Sequence, residues 1–89
     1  MAHKLIILDA KRWQKDCDAI DGKQIARIFQ SIKKLEKDPL DENVQIKQLK
    51  NYELADYRLR VGNYRVLFNK DNDRKTILLL RVLHRSKLY

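Results

Sequence analysis

The side chains best suited to chemistry in this chain gather in its last third. Arg58 and Arg60 alternate with Tyr57, Leu59 and Val61, and Arg65 sits between Tyr64 and Val66 in a second alternating run that ends at Phe68. Strand geometry sends successive side chains to opposite faces. Pairing the two runs around Gly62-Asn63 therefore brings Arg58, Arg60 and Arg65 onto one face, with the apolar residues on the other. Like charges set against one another across strands are unfavourable, whereas guanidinium forks bind phosphate through paired hydrogen bonds. The cluster thus reads as a place for an anion; the competing reading pairs these arginines with Asp56, Asp71 or Asp73. His84 follows the next apolar run and could carry a proton near neutral pH, although a lone histidine is commonly structural or simply exposed. Tyr89 could stack on a base, stack on Arg85, or cover the core.

Other chemistries find no support. There is no glycine-rich phosphate loop and no nucleophile elbow. The carboxylates are scattered rather than clustered as a metal-dependent nuclease would need. Cys17 is the sole cysteine, so no internal disulfide and no multi-cysteine zinc site can form. It falls on an apolar helical stripe and reads as a structural thiol. Lys33, Lys34 and Lys37 read as the solvated face of a helix, and His3 is given no role.

The elements that must position the arginines follow from periodicity. His3 to Leu8 carries the apolar run Leu5–Leu8, expected to be a strand buried on both faces. Asp9 can cap a helix reaching about Ile20, with Trp13, Cys17 and Ile20 along one stripe. Asp21-Gly22 breaks the chain, with Asp21 and Gln24 spaced as a capping box. A second helix then presents Ile25, Ile28, Phe29, Ile32 and Leu35, and Asp38-Pro39 ends it. Residues 40–53 read as a connection in which Val44, Ile46 and Leu49 alternate only partly. After the Tyr57–Phe68 hairpin, Asp71-Asn72-Asp73 turns the chain into a strand from Thr76 to Leu83. That strand is apolar on both faces and therefore expected in the sheet interior. The order is β-α-α-β-β-β, an α+β fold with a helical hairpin on one face of a small, mainly antiparallel sheet.

Composition fits one small domain over residues 1–89. The chain has 89 residues, of which 44% are hydrophobic and 36% charged, with two glycines and one proline. That is globular rather than disordered, and it holds no flexible linker. No apolar run approaches a membrane span, and Leu5–Leu8 is too short for a signal-peptide core; with a single cysteine, this points to the cytoplasm. The net charge is +8, and six of the eight arginines lie in residues 56–89. An arginine-biased half favours contact with a polyanion.

The segments IKQLKN, YRLRVGNYRVLF (Tyr57–Phe68) and ILLLRVLHRSKLY (Ile77–Tyr89) together resemble the RelE/ParE superfamily of bacterial toxin–antitoxin toxins. The resemblance spans essentially the whole chain and is most specific in its last 33 residues. It implies two helices on a mainly antiparallel sheet, as the periodicity does. It also implies one of two activities. RelE-like members cleave translated mRNA in the ribosomal A site, without a metal or cofactor, by attack of a ribose 2′-OH on its adjacent phosphate. ParE-like members instead inhibit DNA gyrase and cut nothing. The RelE-like branch is the favoured expectation. In it, Arg65 resembles the phosphate-binding arginine; Arg58 and Arg60 line the RNA cleft, with Arg81 as a further RNA contact. His84, Arg85 and Tyr89 resemble the C-terminal catalytic group. Some RelE members carry lysines where this chain has Arg58 and Arg60, and arginine cannot serve as an ordinary general base. The acid–base role therefore moves toward His84 and Tyr89. The resemblance further implies a cognate antitoxin, a ribosome and its mRNA as partners, a monomeric free toxin and a larger complex with antitoxin.

Overall fold

A computed structural model describes residues 4–37, 45–49, 55–71 and 73–88. The elements run β1 (Lys4–Ile7), α1 (Ala10–Asp18), α2 (Gly22–Lys37), β2 (Gln45–Gln48), β3 (Tyr57–Val61), β4 (Tyr64–Asp71), β5 (Thr76–His84) and α3 (Arg85–Leu88). They build the expected α+β fold, with one more strand than the sequence suggested and a short closing helix. The sheet order is β1-β5-β4-β3-β2. β1 runs parallel to β5, and every other pairing is antiparallel.

The helices follow their sequence signals. Asp9 caps α1 by accepting the Arg12 N–H at 3.1 Å, and extended backbone at Asp9 sets up that geometry. The stripe places Trp13 in the core, with Cys17 and Ile20 packed against it. α2 buries Ile28, Ile32 and Leu35 against Leu59, Val61, Val66, Phe68, Ile77, Leu79 and Val82 of the sheet. Lys33 and Lys34 are exposed, as expected. The expected strand start at His3, the Asp38-Pro39 stop and Val44 lie outside the described residues.

Three expectations need correction. The apolar run at the N-terminus is not a doubly buried strand: Ile6, Ile7 and Leu8 are 37%, 43% and 63% exposed. β1 is an edge strand with one partner, so only Leu5 of this run packs against the core. Phe29 lies off the centre of the α2 stripe and is 41% exposed. Finally, the segment read as a connection contains β2, in which Ile46 pairs with Leu59 and packs against the core.

β5 is interior, as expected, and its double-sided apolar pattern has a local cause. Its register with β4 shifts between Leu67 and Phe68: Leu67 faces Arg81, but Phe68 faces Leu79. Leu80 is the extra residue, and such a bulge changes which side chains share a face. Ile77 and Leu79 before it, and Val82 after it, can therefore all reach the helix side.

Candidate functional site

The hairpin parity holds. Gly62 adopts a φ of +57°, the left-handed conformation glycine tolerates best. The turn sets Tyr57, Leu59 and Val61 opposite Phe68, Val66 and Tyr64 on the helix side. On the outer face Arg60 stands directly opposite Arg65, and Arg58 lies two residues further along β3. The three arginines differ in their surroundings. Arg60 is exposed, Arg58 is half-buried, and Arg65 is only 8% exposed. The Arg65 Nη1 donates to the backbone oxygens of Gly62, at 3.0 Å, and Tyr64, at 2.9 Å. Its guanidinium is thus held against the hairpin turn.

β2 adds a cation that sequence reasoning missed. Lys47 stands opposite Arg58 and is exposed. It shares the arginine face because its neighbour Ile46 points into the core. The signal lay in the Ile46-Lys47 alternation, too short to be read as a strand before its pairing was known.

The C-terminal candidates sit differently. His84 pairs with Tyr64, which puts it on the helix-side parity at the rim of the sheet. Its ring meets Tyr64 edge-on with centroids 5.4 Å apart. The Nδ1 atom accepts the Ser86 N–H at 3.2 Å and lies 2.8 Å from Ser86 Oγ. A nitrogen that accepts an N–H carries no proton, so the neutral ring keeps its hydrogen on Nε2. A cleft of about 220 Å³ opens beside this ring, with Lys15, Asp16, Tyr64 and Lys87 in its wall. Arg85 is exposed, and its backbone N–H donates to the Asn63 carbonyl at 2.8 Å. Tyr89 lies outside the described residues.

Arg81 stands opposite Leu67, on the parity of Arg58, but its guanidinium is engaged by Asp16. Its Nε and Nη2 donate to the two Asp16 carboxylate oxygens at 2.7 and 2.8 Å. The Val82 N–H donates to the same carboxylate at 3.2 Å. Pairing with β1 ends at Leu79, and beyond it Asp16 of α1 supplies the acceptor that a strand would have given. Sequence reasoning missed Asp16, although its place beside the Trp13–Cys17 stripe turns it toward the sheet.

Burial raises the Cys17 thiol pKa, and the neighbouring Asp16 and Asp18 charges raise it further. That is the opposite of nucleophile activation. Among the described residues, no three His, Cys, Asp or Glu side chains gather to hold a metal ion, and no helix is long and apolar enough to cross a membrane.

Comparison with known proteins agrees with this arrangement. Residues 9–89 match the family described as the ParE toxin of the parDE type II toxin–antitoxin system. The chain is 36% identical over 85 residues to Toxin RelE3 of Methanocaldococcus jannaschii, covering 93% of each protein. It resembles the toxin fold seen in the RelB–RelE antitoxin–toxin complex of Methanococcus jannaschii, with a TM-score of 0.73, 32% identity and 94% of each chain covered. The RelE–RelB complex of Pyrococcus horikoshii OT3 gives a TM-score of 0.78 at 25% identity, over 98% of this chain and 99% of that one. With the helical hairpin, the five-stranded sheet and the arginine-bearing hairpin all in place, the chain belongs to the RelE/ParE superfamily as a RelE-like toxin of a type II toxin–antitoxin module.

Proposed function

We propose that the chain is a ribosome-dependent endoribonuclease that cuts translated mRNA in the A site, without a metal, and so stops translation. The observation that carries this reading is the direct opposition of Arg60 and Arg65, with Arg58 beside them, on the sheet face away from the helices. Such a cluster is best stabilised by an anion, and a phosphodiester is the anion its geometry suits. In the reaction, the ribose 2′-OH gives its proton to a water molecule and its oxygen attacks the adjacent phosphorus. The bond to the 5′ oxygen breaks, that oxygen takes up a proton, and a 2′,3′-cyclic phosphate remains.

Arg58, Arg60 and Arg65 hold the phosphate and stabilise charge on its oxygens. His84, in its protonated form, keeps Nδ1–H on Ser86 Oγ and gives its Nε2 proton to the departing oxygen from the rim of the sheet, which leaves the neutral ring. Arg85 and Tyr89 complete the site. The similarity to a named RelE toxin over nearly the full chain supports the nuclease reading.

The solved relatives are complexes with RelB antitoxins, which supports a cognate antitoxin here. A basic toxin attracts an acidic, flexible segment. We expect that segment to cover the arginine face or displace the C-terminal residues, and the free toxin to be a cytoplasmic monomer.

Brief induction in bacteria, with mRNA 5′ ends mapped, tests the reading. Wild type should create new ends inside translated regions only. Arg65→Ala should lower cleavage by about 10²-fold or more, the usual effect of losing a group that stabilises transition-state charge. Full cleavage by Arg65→Ala would falsify the assignment. The match to the ParE family favours a second reading, a gyrase inhibitor. Growth arrest with intact mRNA and blocked supercoiling would establish it instead.

A further inference from the structure

The cations on the outer face form two rows rather than one cluster. Arg60 and Arg65 face each other across β3 and β4. Arg58 and Lys47 face each other across β3 and β2. The rows lie two residues apart along β3, about 7 Å, and their centres are displaced sideways by one strand spacing, about 4.8 Å. The centres are therefore about 8 Å apart, on a diagonal leading toward the β2 edge. That distance is somewhat longer than the step between consecutive phosphates in an extended single strand, and the long Arg and Lys side chains span the difference.

We propose that Lys47 is a nucleic-acid-binding residue. With Arg58 it holds the phosphate next to the one held by Arg60 and Arg65, so that a single-stranded RNA crosses the sheet from β4 toward the β2 edge. This rests on the nuclease reading and adds the path of the substrate to it. Each row offers one phosphate two cations from adjacent strands, the arrangement that positive grooves use to track a single-stranded backbone. Lys47 is suited to the outer place. Its flexible ammonium acts as a point charge and demands less geometry than the guanidinium pair nearer the turn. The alternation in β2 also fixes its direction, because Ile46 is held in the core.

The test uses the full chain and a short single-stranded 2′-O-methyl oligoribonucleotide, which cannot be cleaved because its 2′ oxygens are blocked. Anisotropy titrations across a series of salt concentrations give the slope of log affinity against log salt. Lys47→Ala should weaken binding several-fold and make the slope shallower by about 0.7, the value of one phosphate contact on a single strand. Lys34→Ala removes an equal charge from the helix layer and should leave the slope as it is. A Lys47→Ala slope equal to wild type overturns the proposal, and so does a wild type that does not bind the oligonucleotide. Mapping of mRNA ends separates the two readings. Cleaved mRNA with an unchanged Lys47→Ala slope removes the second row alone. A Lys47-dependent slope with intact mRNA removes the nuclease reading and leaves the phosphate path standing.

Discussion

Asp16 joins the helical hairpin to the sheet at the point where β1 stops, and removing it should be costly. The Asp16 and Arg81 side chains are 9% and 24% exposed, so water shields the pair poorly. Asp16→Ala strips Arg81 of two short charge-assisted hydrogen bonds and leaves the Val82 N–H without its acceptor. Hydrogen bonds to charged groups contribute about 1.5–3 kcal/mol, and an orphaned buried N–H costs about 1–3 kcal/mol. Partial hydration of the freed guanidinium reduces the sum, giving a loss of about 2–3 kcal/mol. In urea, where a chain of this size has a slope of about 1–1.5 kcal/mol/M, the unfolding midpoint should fall by about 2 M. Arg81→Ala should be milder, because Val82 keeps its acceptor, and the double mutant should reveal a coupling of about 1 kcal/mol or more. A midpoint shift below about 0.5 M for Asp16→Ala would refute the anchoring argument. Arg81→Ala should also leave the salt slope for RNA unchanged. A decrease of about 0.7 would return Arg81 to the RNA contacts that the family resemblance implies.

Two further outcomes are expected. An added Cβ at Gly62 meets nothing within 4 Å, so Gly62→Ala carries only the backbone penalty of a φ of +57°, about 1 kcal/mol. Its thermal midpoint should fall by about 4–8 °C, with Gly62→Asn milder; an unchanged midpoint for Gly62→Ala would show that the turn relaxes freely. Cys17 has a raised pKa through burial, then Asp16, then Asp18, and the thiolate is the reacting form. Alkylation by iodoacetamide should therefore lag behind a free cysteine peptide and rise only at more alkaline pH. Asp18→Asn removes one of the raising charges and should shift the alkylation profile toward lower pH. No shift would mean that Asp18 contributes nothing and that burial and Asp16 hold the thiol up.

The hairpin and helices were legible in the sequence because each rests on local signals: alternation, glycine at a tight turn, a capping aspartate and apolar spacing near 3.6. β2 was not, because a four-residue strand reveals itself only through its pairing with β3. Lys47 was hidden with it. The Arg81–Asp16 pair was hidden for a related reason. A bulge at Leu80 and a carboxylate 65 positions earlier in the chain decide where that guanidinium goes, and neither is visible in local alternation. The N-terminal apolar run shows the converse. Continuous hydrophobicity marks a strand, but topology decides whether both its faces are covered.

The same limit shapes how the C-terminal group relates to the arginines. His84 and Arg65 are on opposite parities, so strand alternation alone does not join them. The hairpin turn does. Gly62 and Tyr64 hold Arg65 through their carbonyls, Asn63 accepts the Arg85 N–H, and the Tyr64 ring packs on His84. Three consecutive turn residues thus orient a guanidinium on one face and a histidine at the rim. Displacing α3, one of the two modes proposed for the antitoxin segment, would remove the Arg85–Asn63 contact and loosen the support of Tyr64 and His84. It leaves the β3–β4 pairing behind Arg60 and Arg65 intact. On the proposed reading, loss of activity in such a complex comes from the rim of the site, while the arginine face stays formed for the phosphate it is proposed to hold.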